Sequence, residues 1–270
     1  MDGPMPAAKP CYTLFALDTQ RVVNEEIHRE FANLDPKPLD AVNLAALRAY
    51  EASTERAKKG LYVLHYDGNP VYAGKTDELL SKRLAEHLEK LSSRPNLHPD
   101  KVGFRCVYFD KNWSALAQEG PLIAKLGLPW NQSGIGGHDF GRGRDWTELK
   151  ADHFDRLFPI NTAIAITGIP EGQQTVKVVL NHLFKHLPYL LRVQKTKSKQ
   201  LLPIYSTTHI TVTAAETVES LLGKIVDQLG AHWQVTFLCG YAIVYEENDT
   251  YPAFSYLKYK RGGTAWVVHP

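Results

Sequence analysis

The sequence predicts an α+β protein with a small three-stranded antiparallel sheet flanked by helices, followed by a second α+β unit. Three observations predict this class. Short apolar runs bounded by glycine, asparagine or proline are typical of strands, and apolar residues spaced three and four apart are typical of amphipathic helices. The two kinds of segment alternate along a chain of 270 residues, of which 44% are hydrophobic. This length and composition suffice for one large domain or two ordinary ones.

Composition excludes several classes of protein. The 31 basic and 29 acidic residues give a net charge of +2, which does not by itself indicate a nucleic-acid partner, so any basic surface has to come from local clustering. Cys11, Cys106 and Cys239 are odd in number and widely separated, which argues against a disulfide framework and a structural zinc site. We therefore expect a reducing, cytoplasmic compartment.

The N-terminal stretch MDGPMPAAKP lacks the basic and apolar regions of a signal peptide. No apolar run approaches the roughly 18 residues that a membrane span needs. The sequence thus predicts a soluble intracellular protein with no membrane partner.

The first 59 residues are predicted to form an N-terminal helical extension. Residues 1–10 are expected to be a disordered tail, and Cys11 to Leu17 a short strand. Apolar spacing predicts helices over Arg21 to Leu34 and Leu39 to Lys59, with Asp35 to Pro38 as a rigid linker between them. These helices could cover the sheet, mediate dimerisation or contact DNA, and the sequence leaves the three alternatives open.

Residues 60–88 contain more side chains with catalytic potential than any other stretch, among them tyrosines, lysines, an arginine and histidines. Leu61 to Tyr66 and Val71 to Ala73 are rich in aromatic and β-branched residues, and the turn residues Asp67 to Pro70 separate them. This pattern predicts an antiparallel hairpin.

A helix is predicted after the hairpin, because leucines recur at helical spacing from Leu79 to Leu91. Thr76 or Asp77 is available as its N-cap. Arg83 and His87 are four residues apart, so both side chains lie on one face of this helix, beside the two tyrosines of the hairpin. A guanidinium and an imidazole next to two tyrosines indicate a phosphodiester-cutting site.

Three further segments complete the predicted first half. Gly103 to Phe109 alternates as a third strand does, and Trp113 to Leu126 has a helical pattern that Pro129-Trp130-Asn131 closes. Gln132 to Arg144 contains five glycines, which permit positive φ and the close approach of other groups. This loop is either an ordinary surface loop or a DNA-contacting loop in which Arg142 and Arg144 read phosphate or guanine.

The paired segments Gly60-Leu61-Tyr62 and Val71-Tyr72-Ala73-Gly74-Lys75 resemble the two tripeptides of the GIY-YIG nuclease superfamily. The series continues with Arg83-Leu84-x-x-His87, Glu119, Pro129-Trp130-Asn131 and the glycine-rich loop up to Arg144. Residues 55 to 150 are therefore similar to the Eco29kI-type branch of type II restriction endonucleases. This resemblance implies a nuclease domain over residues 60–150.

The resemblance also implies a role for each residue of the series. Tyr62 would act as general base or position the attacking water, His87 would relay its proton, and Tyr72 would orient water and phosphate. Arg83 and Lys75 would bind phosphate, because both are cationic and a guanidinium offers a planar fork of donors. Glu119 would be the ligand of Mg²⁺ (or Mn²⁺), which is a hard cation that keeps several waters. Asn131 would orient the site.

The chain departs from the family pattern at three points. Ala73 replaces a bulkier residue, and a very short turn joins the two tyrosines where the restriction enzymes carry a longer insertion. Gly120-Pro121 directly follows Glu119, and proline is tolerated only in the first turn of a helix. We therefore expect that helix to begin near Glu119.

Residues 155–270 are predicted to form a separate α+β domain with the order strand, helix, strand repeated twice. Two such units in succession suggest a ferredoxin-like sandwich. The predicted strands and helices are Ala163 to Ile166, Thr175 to His186, Tyr189 to Val193, His209 to Thr213, Glu216 to Leu229, Gln234 to Leu238, Gly240 to Glu246 and Phe254 to Tyr259.

Basic residues of this half cluster in two places, at Arg192, Lys195, Lys197 and Lys199 and at Lys258, Lys260 and Arg261. Cationic patches bind DNA through counterion release, so a DNA-contacting or specificity role is predicted for this half. A solvated loop is the alternative for the first cluster, and dimerisation or another partner is the alternative for the whole half.

The leading functional hypothesis is a sequence-specific, Mg²⁺-dependent endonuclease that cuts double-stranded DNA as a homodimer, since each subunit contributes one site and two strands have to be cut. A structure-specific or modification-dependent nuclease is the alternative within enzymes. A DNA-binding module that has lost cleavage is the alternative outside them.

Overall fold

The computed structural model describes residues 18–54, 59–109, 119–132, 135 and 141–269. Within these residues the protein is a mixed α+β structure with mainly antiparallel sheets. The predicted tail and the predicted strand from Cys11 to Leu17 lie outside the described residues, as do residues 113–118 of the predicted fourth helix and most of the glycine-rich loop.

The first half contains a sheet with the strand order β1, β4, β2, β3, in which every pair is antiparallel. The predicted hairpin and third strand are therefore confirmed. The elements of this half are α1 (Thr19–Ala32), β1 (Lys37–Pro38), α2 (Ala41–Ser53), β2 (Lys59–Tyr66), β3 (Asn69–Thr76), α3 (Leu80–Ser92), β4 (Val102–Phe109), α4 (Glu119–Leu126) and α5 (Phe154–Leu157).

Side chains alternate between the two faces of this sheet, as strand geometry requires. Leu61 and Val63 of β2 pack with Ile27 and Phe31 of α1 and with Leu122 of α4. On the opposite face lie Tyr62 and Leu64, which pack against a cluster contributed largely by α2 and α3. The central strand is buried on both sides. Tyr62 and Tyr72 lie on one face of the sheet, whereas Lys75, which is opposite Leu61 in the ladder, lies on the other.

The β2–β3 turn has the geometry that its sequence predicts. Asp67 and Gly68 have φ of 51° and 80°. Two consecutive residues with positive φ are typical of the tight hairpin turns whose twist matches that of the strands, and Asp-Gly is a preferred pair there. The loop pairs Tyr66 with Asn69, and a one-residue shift of the register between Leu64 and His65, as in a β-bulge, then places Tyr62 opposite Gly74.

The predicted N-cap of α3 is wrong. The helix begins after Leu79, which offers no side-chain cap, so neither Thr76 nor Asp77 fills this role. Instead the buried carboxylate of Glu51, from α2, accepts the backbone N–H of Ser81 at 2.9 Å and also the Ser81 hydroxyl. A carboxylate distant in sequence thus satisfies the helix end, as a capping residue would.

The N-terminal segment is more closely joined to the sheet than the predicted extension and linker suggested. Lys37–Pro38 pairs with β4 as a two-residue edge strand, where a proline is tolerated because its missing N–H faces outward. The guanidinium of Arg105 donates to the backbone oxygens of Phe31 and Leu34. Helix α2 ends at Ser53, six residues before the predicted end.

The second half is built on a five-stranded sheet with the order β13, β12, β10, β11, β7, in which only β7 and β11 are parallel. Two small ladders, β5 with β9 and β6 with β8, lie outside it. The elements are β5 (Ala165–Ile166), β6 (Gly172–Thr175), α6 (Val176–His186), β7 (Leu191–Val193), α7 (Ile204–Thr207), β8 (His209–Val212), β9 (Glu216–Thr217), α8 (Val218–Leu229), β10 (Trp233–Leu238), β11 (Ala242–Glu246), β12 (Tyr256–Arg261) and β13 (Val267–Val268).

This strand order corrects the ferredoxin-like interpretation. In that fold the strands before and after each helix belong to one four-stranded sheet, whereas here β5 and β8 pair outside the main sheet. The two helices were nevertheless located correctly. Thr175 and Thr217 cap them by accepting the N–H groups of Val178 and Ser220.

The two halves meet at a buried polar junction. Arg94, which follows α3, is 7% exposed and donates to Asp155 of α5 and to the backbone oxygens of Phe158 and Cys239. Gly240 is required there, because a Cβ at this position would lie 2.5 Å from the Asp155 carboxylate. The junction fixes β10 of the second half against the end of the first half.

Candidate active site

Three aromatic rings form the centre of the candidate site. The rings of Tyr62 on β2, Tyr72 on β3 and His87 on α3 have centroids between 5.3 and 6.1 Å apart. The Tyr62 hydroxyl lies 2.7 Å from Nε2 of His87, which is hydrogen-bond distance. The structure therefore brings together three side chains that the sequence predicted to act as a group.

Gly74 makes this arrangement sterically possible. It faces Tyr62 across the β2–β3 ladder, and a Cβ at this position would lie 2.3 Å from the Tyr62 hydroxyl oxygen. Real Cβ atoms are not found at such distances, so a larger residue would displace the tyrosine ring. The glycine of the second tripeptide is thus explained by the close approach of Tyr62.

Arg83 extends the cluster toward the surface. Its Nε donates to the Tyr62 hydroxyl at 3.3 Å, and Nη1 pairs with Glu86 at 2.9 Å. The side chain is 24% exposed, whereas Tyr62 and His87 are fully buried. A guanidinium at this place offers a positive charge at the boundary between the buried cluster and solvent.

Burial keeps the tyrosine and the histidine neutral. It raises the pKa of Tyr62 well above the usual value, and the neighbouring Tyr72 adds to this, while Arg83 opposes it. Burial also lowers the pKa of His87 well below 6.5, and the positive charges of Arg83 and Lys90 lower it further. A neutral imidazole next to a protonated phenol is a hydrogen-bonded pair through which a proton can pass.

One nitrogen of His87 remains without a described partner. Nδ1 is buried and makes no hydrogen bond within the described part of the chain. An unsatisfied buried polar atom costs about 1–3 kcal/mol, and a catalytic role is one of the explanations for its presence in a native structure. The imidazole is therefore held through Nε2 on one side only.

Glu119 lies at the edge of the site. One of its carboxylate oxygens accepts the backbone N–H of Lys75 at 2.9 Å, and its negative charge contributes to the raised pKa of Tyr72, after burial and after the opposing effect of Arg83. The residue is exposed and begins α4 as the structure describes it. Residues 110–118 lie outside the described residues, so the expectation that the helix begins near Glu119 stays a prediction.

Asn131 binds the backbone of β3 at two points. Its amide oxygen accepts the N–H of Ala73 at 2.8 Å, and its amide nitrogen donates to the carbonyl of the same residue at 2.7 Å. Strand β3 is an edge strand, so these groups would otherwise lack a partner in the sheet. Asn131 therefore fixes the strand between Tyr72 and Gly74 and touches none of the three rings through its amide.

The carboxylate of Glu119 is available at the site for a hard cation, which would then be held mainly by water and phosphate. Within the residues that the structure describes, no three His, Cys, Asp or Glu side chains come together as a metal cluster. Mg²⁺ does not need such a cluster, because it usually binds through one or two carboxylates and keeps several waters. The exposed carboxylate of Glu119 is suited to this kind of binding.

Arg142 and Arg144 are placed away from the three rings and against the second half. Arg142 pairs with Glu247 at 2.6 Å and stacks on Tyr245, while Arg144 donates to Asp155 at 3.2 Å and lies 5.8 Å from the ring centroid of Tyr241. The side chain of Arg142 is 55% exposed and that of Arg144 only 19%. Their predicted role in DNA contact stays a prediction, and their observed role is to join the two halves.

The predicted basic clusters of the second half need correction. Arg192 is 10% exposed and pairs with the buried Asp145, so it does not belong to a surface patch. Lys258 and Lys260 pair with Glu219 and Asp227, and Arg261 donates to Gln234. Among the cations of these two clusters, the exposed ones are those of the loop after β7, namely Lys195, Lys197 and Lys199.

Two further residues of the site were missed in the sequence interpretation. Glu86 pairs with Arg83, and their spacing of three residues on a predicted helix was a usable signal. Lys90 lies on the same helix and is one of the charges that lower the pKa of His87, a role that depends on burial and has no signature in the sequence.

Compared with models of known protein families and with curated protein sequences, the chain gives no match. Among the described residues, no helix is both long and apolar enough to cross a membrane.

Proposed function

We propose that this protein is a Mg²⁺-dependent DNA endonuclease that hydrolyses phosphodiester bonds in double-stranded DNA. The observation that carries the proposal is the contact of the Tyr62 hydroxyl with His87 Nε2 at 2.7 Å, with the Arg83 guanidinium on the same hydroxyl. Hydrolysis requires a base for water and a positive charge for the transition state, and these groups can supply both.

Tyr62 and His87 act together as the base. The phenol is protonated, so it can accept the proton of an attacking water only while it passes its own proton to Nε2 of His87. The low pKa of the buried imidazole leaves it unprotonated at neutral pH, so the lone pair of Nε2 is free to receive that proton, and the protonated imidazole then loses it readily. The water oxygen then bonds to phosphorus, the bond to the leaving oxygen breaks, and the proton ends on the imidazole before it returns to solvent.

Arg83 stabilises the negative charge that develops on the phosphate oxygens, because a guanidinium is always charged and can donate two parallel hydrogen bonds. Lys75, on the opposite face of the edge strand β3, would reach phosphate around the end of that strand as a second contact. Glu119 would hold Mg²⁺, which supplies Lewis-acid activation and help for the leaving oxygen when it is bound.

The assignment of a superfamily and of a type of nuclease follows the sequence resemblance. Strands β2, β3 and β4 form the three antiparallel strands that the resemblance predicted, with the short β1 added at one edge and α3 packed beside them. This arrangement is compatible with a GIY-YIG domain, and we propose that the first half belongs to that superfamily. A sequence-specific type II restriction endonuclease is the leading form, and a structure-specific or modification-dependent nuclease is the alternative. We infer a cytoplasmic homodimer, because one site per chain has to cut two strands.

A second candidate is a DNA-binding module without cleavage. The complete burial of Tyr62 and His87 favours it, since water and a phosphate have to reach the tyrosine for catalysis. The half-buried position of Arg83 and the exposed position of Glu119 favour the nuclease, because Arg83 reaches from the surface to the hydroxyl of Tyr62.

Cleavage of a randomised duplex library distinguishes these candidates. The full-length protein is incubated with the library and Mg²⁺, and the new ends are mapped by sequencing. A restriction endonuclease gives ends at one sequence, whereas a structure-specific nuclease cuts only branched or mismatched controls. Binding without ends, at protein concentrations that saturate the DNA and with either Mg²⁺ or Mn²⁺, contradicts the nuclease proposal.

A further inference from the structure

A cavity of about 470 Å³ lies in the second half beside the junction. Its walls come from the segment after α3, from α5 and the loop that follows it, from β12 and from the segment around β13. This volume is within the range of about 300–1,000 Å³ that is typical of small-molecule sites. The residues of the Tyr62 site do not line it.

Aromatic rings form one side of the cavity. His269 packs against Tyr256 with centroids 4.6 Å apart and lies 5.8 Å from Phe254. Phe254 is 46% exposed, which is high for a phenylalanine in a folded protein. Planar aromatic ligands stack on such rings, and every nucleobase has a π-face suited to this contact.

A cation stands next to the aromatic side. The guanidinium of Arg156 lies 4.2 Å from the ring centroid of Phe254 and donates to the backbone oxygen of Leu149. Arg156 forms no ion pair with a carboxylate in the described ranges, unlike Arg94 and Arg144 nearby. An arginine that stacks on an aromatic ring and has no carboxylate partner is suited to bind phosphate.

Polar groups complete the opposite side. Asn161 accepts the backbone N–H of Ala163 through its amide oxygen, which directs its amide nitrogen elsewhere. The hydroxyl of Thr162 and the ammonium of Lys258 both donate to Glu219, so this part of the wall is polar but balanced in charge. Such groups can read the hydrogen-bonding edge of a base.

The backbone of Phe254 is strained. Its φ is 62°, a left-handed conformation that a bulky residue rarely adopts. Strain of this kind costs about 1–3 kcal/mol and is concentrated at binding and catalytic sites. The strained conformation holds the ring at the mouth of the cavity, half exposed and beneath Arg156.

We propose that this cavity binds a single nucleotide, with its base against Phe254 and His269 and its phosphate on Arg156. The nucleotide is either free in solution or extruded from DNA, and the second source rests on the proposed nuclease function. With an extruded nucleotide, the cavity of the second half would recognise one base of a target, since enzymes that flip a base bind it in a pocket.

Binding of free nucleotides is measured first, by calorimetric titration of the full-length protein with each of the four deoxynucleoside monophosphates in EDTA. We expect one-to-one binding of at least one of them with a Kd below about 1 mM. Phe254→Ala should weaken it about 5- to 150-fold, the usual contribution of one stacked base. Arg156→Gln should weaken binding of the monophosphate and leave that of the nucleoside unchanged.

Tyr50→Ala and Arg48→Gln, which change an exposed tyrosine and an exposed arginine of α2, are the matched controls and should bind as the wild type does. Thermal unfolding of each variant shows whether it is folded. Arg83→Ala should lose cleavage and keep nucleotide binding, which separates the two proposals.

The source of the nucleotide is tested with duplexes that carry 2-aminopurine at successive positions. An increase in fluorescence that the Phe254 and Arg156 variants lose identifies a base extruded from DNA, whether or not free nucleotides bind. Binding of free nucleotides without this increase identifies a soluble nucleotide. The proposal is wrong if the wild-type protein shows neither signal, or if the two cavity variants behave as the controls do.

Discussion

The hydroxyl oxygen of Tyr62 lies 2.7 Å from Nε2 of His87, and both groups are fully buried. Burial acts on the two in opposite directions, because it disfavours the charged form of each: the pKa of the tyrosine rises and that of the histidine falls. The pair is therefore neutral over the physiological range. Transfer of the tyrosine proton to the histidine creates two adjacent opposite charges rather than one isolated buried charge.

The low pKa of His87 predicts a specific dependence of stability on pH. The unfolded chain binds a proton at this histidine below about pH 6.5, whereas the folded chain does not, so the free energy of unfolding falls as the pH falls below 6.5. The slope due to His87 is at most about 1.4 kcal/mol per pH unit at 25 °C. Urea unfolding at pH 7.5, 6.5 and 5.5 measures it.

His87→Gln should reduce that slope, because it removes one imidazole that is protonated only in the unfolded chain. Part of the slope should remain, because burial also lowers the pKa of His65. His98→Gln, at an exposed histidine, is the control for loss of an imidazole. Equal slopes for the wild type and His87→Gln would show that the imidazole is protonated in the folded protein, contrary to its burial.

Arg83→Ala should slow cleavage far more than it weakens DNA binding. The guanidinium is needed where charge develops in the transition state, and removal of one such donor typically costs about 100- to 1,000-fold in rate. Single-turnover cleavage and binding in Ca²⁺ are measured separately. Lys82→Ala, one residue away and paired with Glu78 on the surface, is the control and should cut at the wild-type rate. A loss confined to affinity would contradict the assigned role.

The sheet and helix positions of the first half could be predicted because their signals are local. Alternating apolar residues, the Asp-Gly turn and the leucine spacing of α3 each depend on a few neighbouring residues. The cap of α3 could not be predicted, because Glu51 contacts Ser81 from thirty residues away in the sequence, and no neighbouring residue indicates this contact. The same holds for Asn131, whose two bonds to Ala73 are fixed by tertiary packing.

The second half was less predictable for a related reason. Helical spacing located α6 and α8, but the choice of strand partners is a long-range property, so the strand order differs from the ferredoxin-like one. The charge of Arg192 was visible in the sequence, whereas the buried Asp145 that neutralises it is 47 residues away. A run of basic residues thus indicates a charged surface only when no distant carboxylate is folded against it.

Glu119→Gln should bind DNA and fail to cut it. The amide keeps an oxygen that can accept the N–H of Lys75, so local structure is preserved, while the charge that attracts a divalent cation is lost. Cleavage is measured over a titration of Mg²⁺ and Mn²⁺, and binding is measured in EDTA. Glu30→Gln, at an exposed glutamate of α1 on the face of the sheet opposite the three rings, is the charge-matched control. If Glu119→Gln cuts as fast as the wild type at low Mg²⁺, the metal is held elsewhere.

Asn131→Ala should lower the free energy of unfolding by about 1–3 kcal/mol, because it removes two hydrogen bonds of about 1 kcal/mol each and leaves two backbone groups of Ala73 without these partners. Activity should fall as well, since β3 carries Tyr72. Asn131→Asp preserves one of the two bonds and places a carboxylate against a carbonyl. Equal stability of the wild type and Asn131→Ala in urea unfolding would argue against a positioning role.

The loop after β7 should supply DNA affinity without sequence preference. Lys195, Lys197 and Lys199 are exposed, whereas the cations of the other predicted cluster are engaged with groups of the protein itself. Each lysine that neutralises a phosphate steepens the dependence of log K on log salt by about 0.9. The triple change to glutamine should therefore flatten this slope by up to about 2.7 and weaken binding to all duplexes alike.

The matched triple change to arginine keeps the three charges and should keep the slope, which separates charge from loop structure. Both variants are made in the full-length chain, because the buried contact of Arg94 with Asp155 and Cys239 joins the two halves and would be broken in separated fragments. Binding is measured at several salt concentrations with a cognate and an unrelated duplex. An unchanged slope in the glutamine variant would mean that this loop faces away from the DNA, and the affinity of the protein would then have to come from the first half alone.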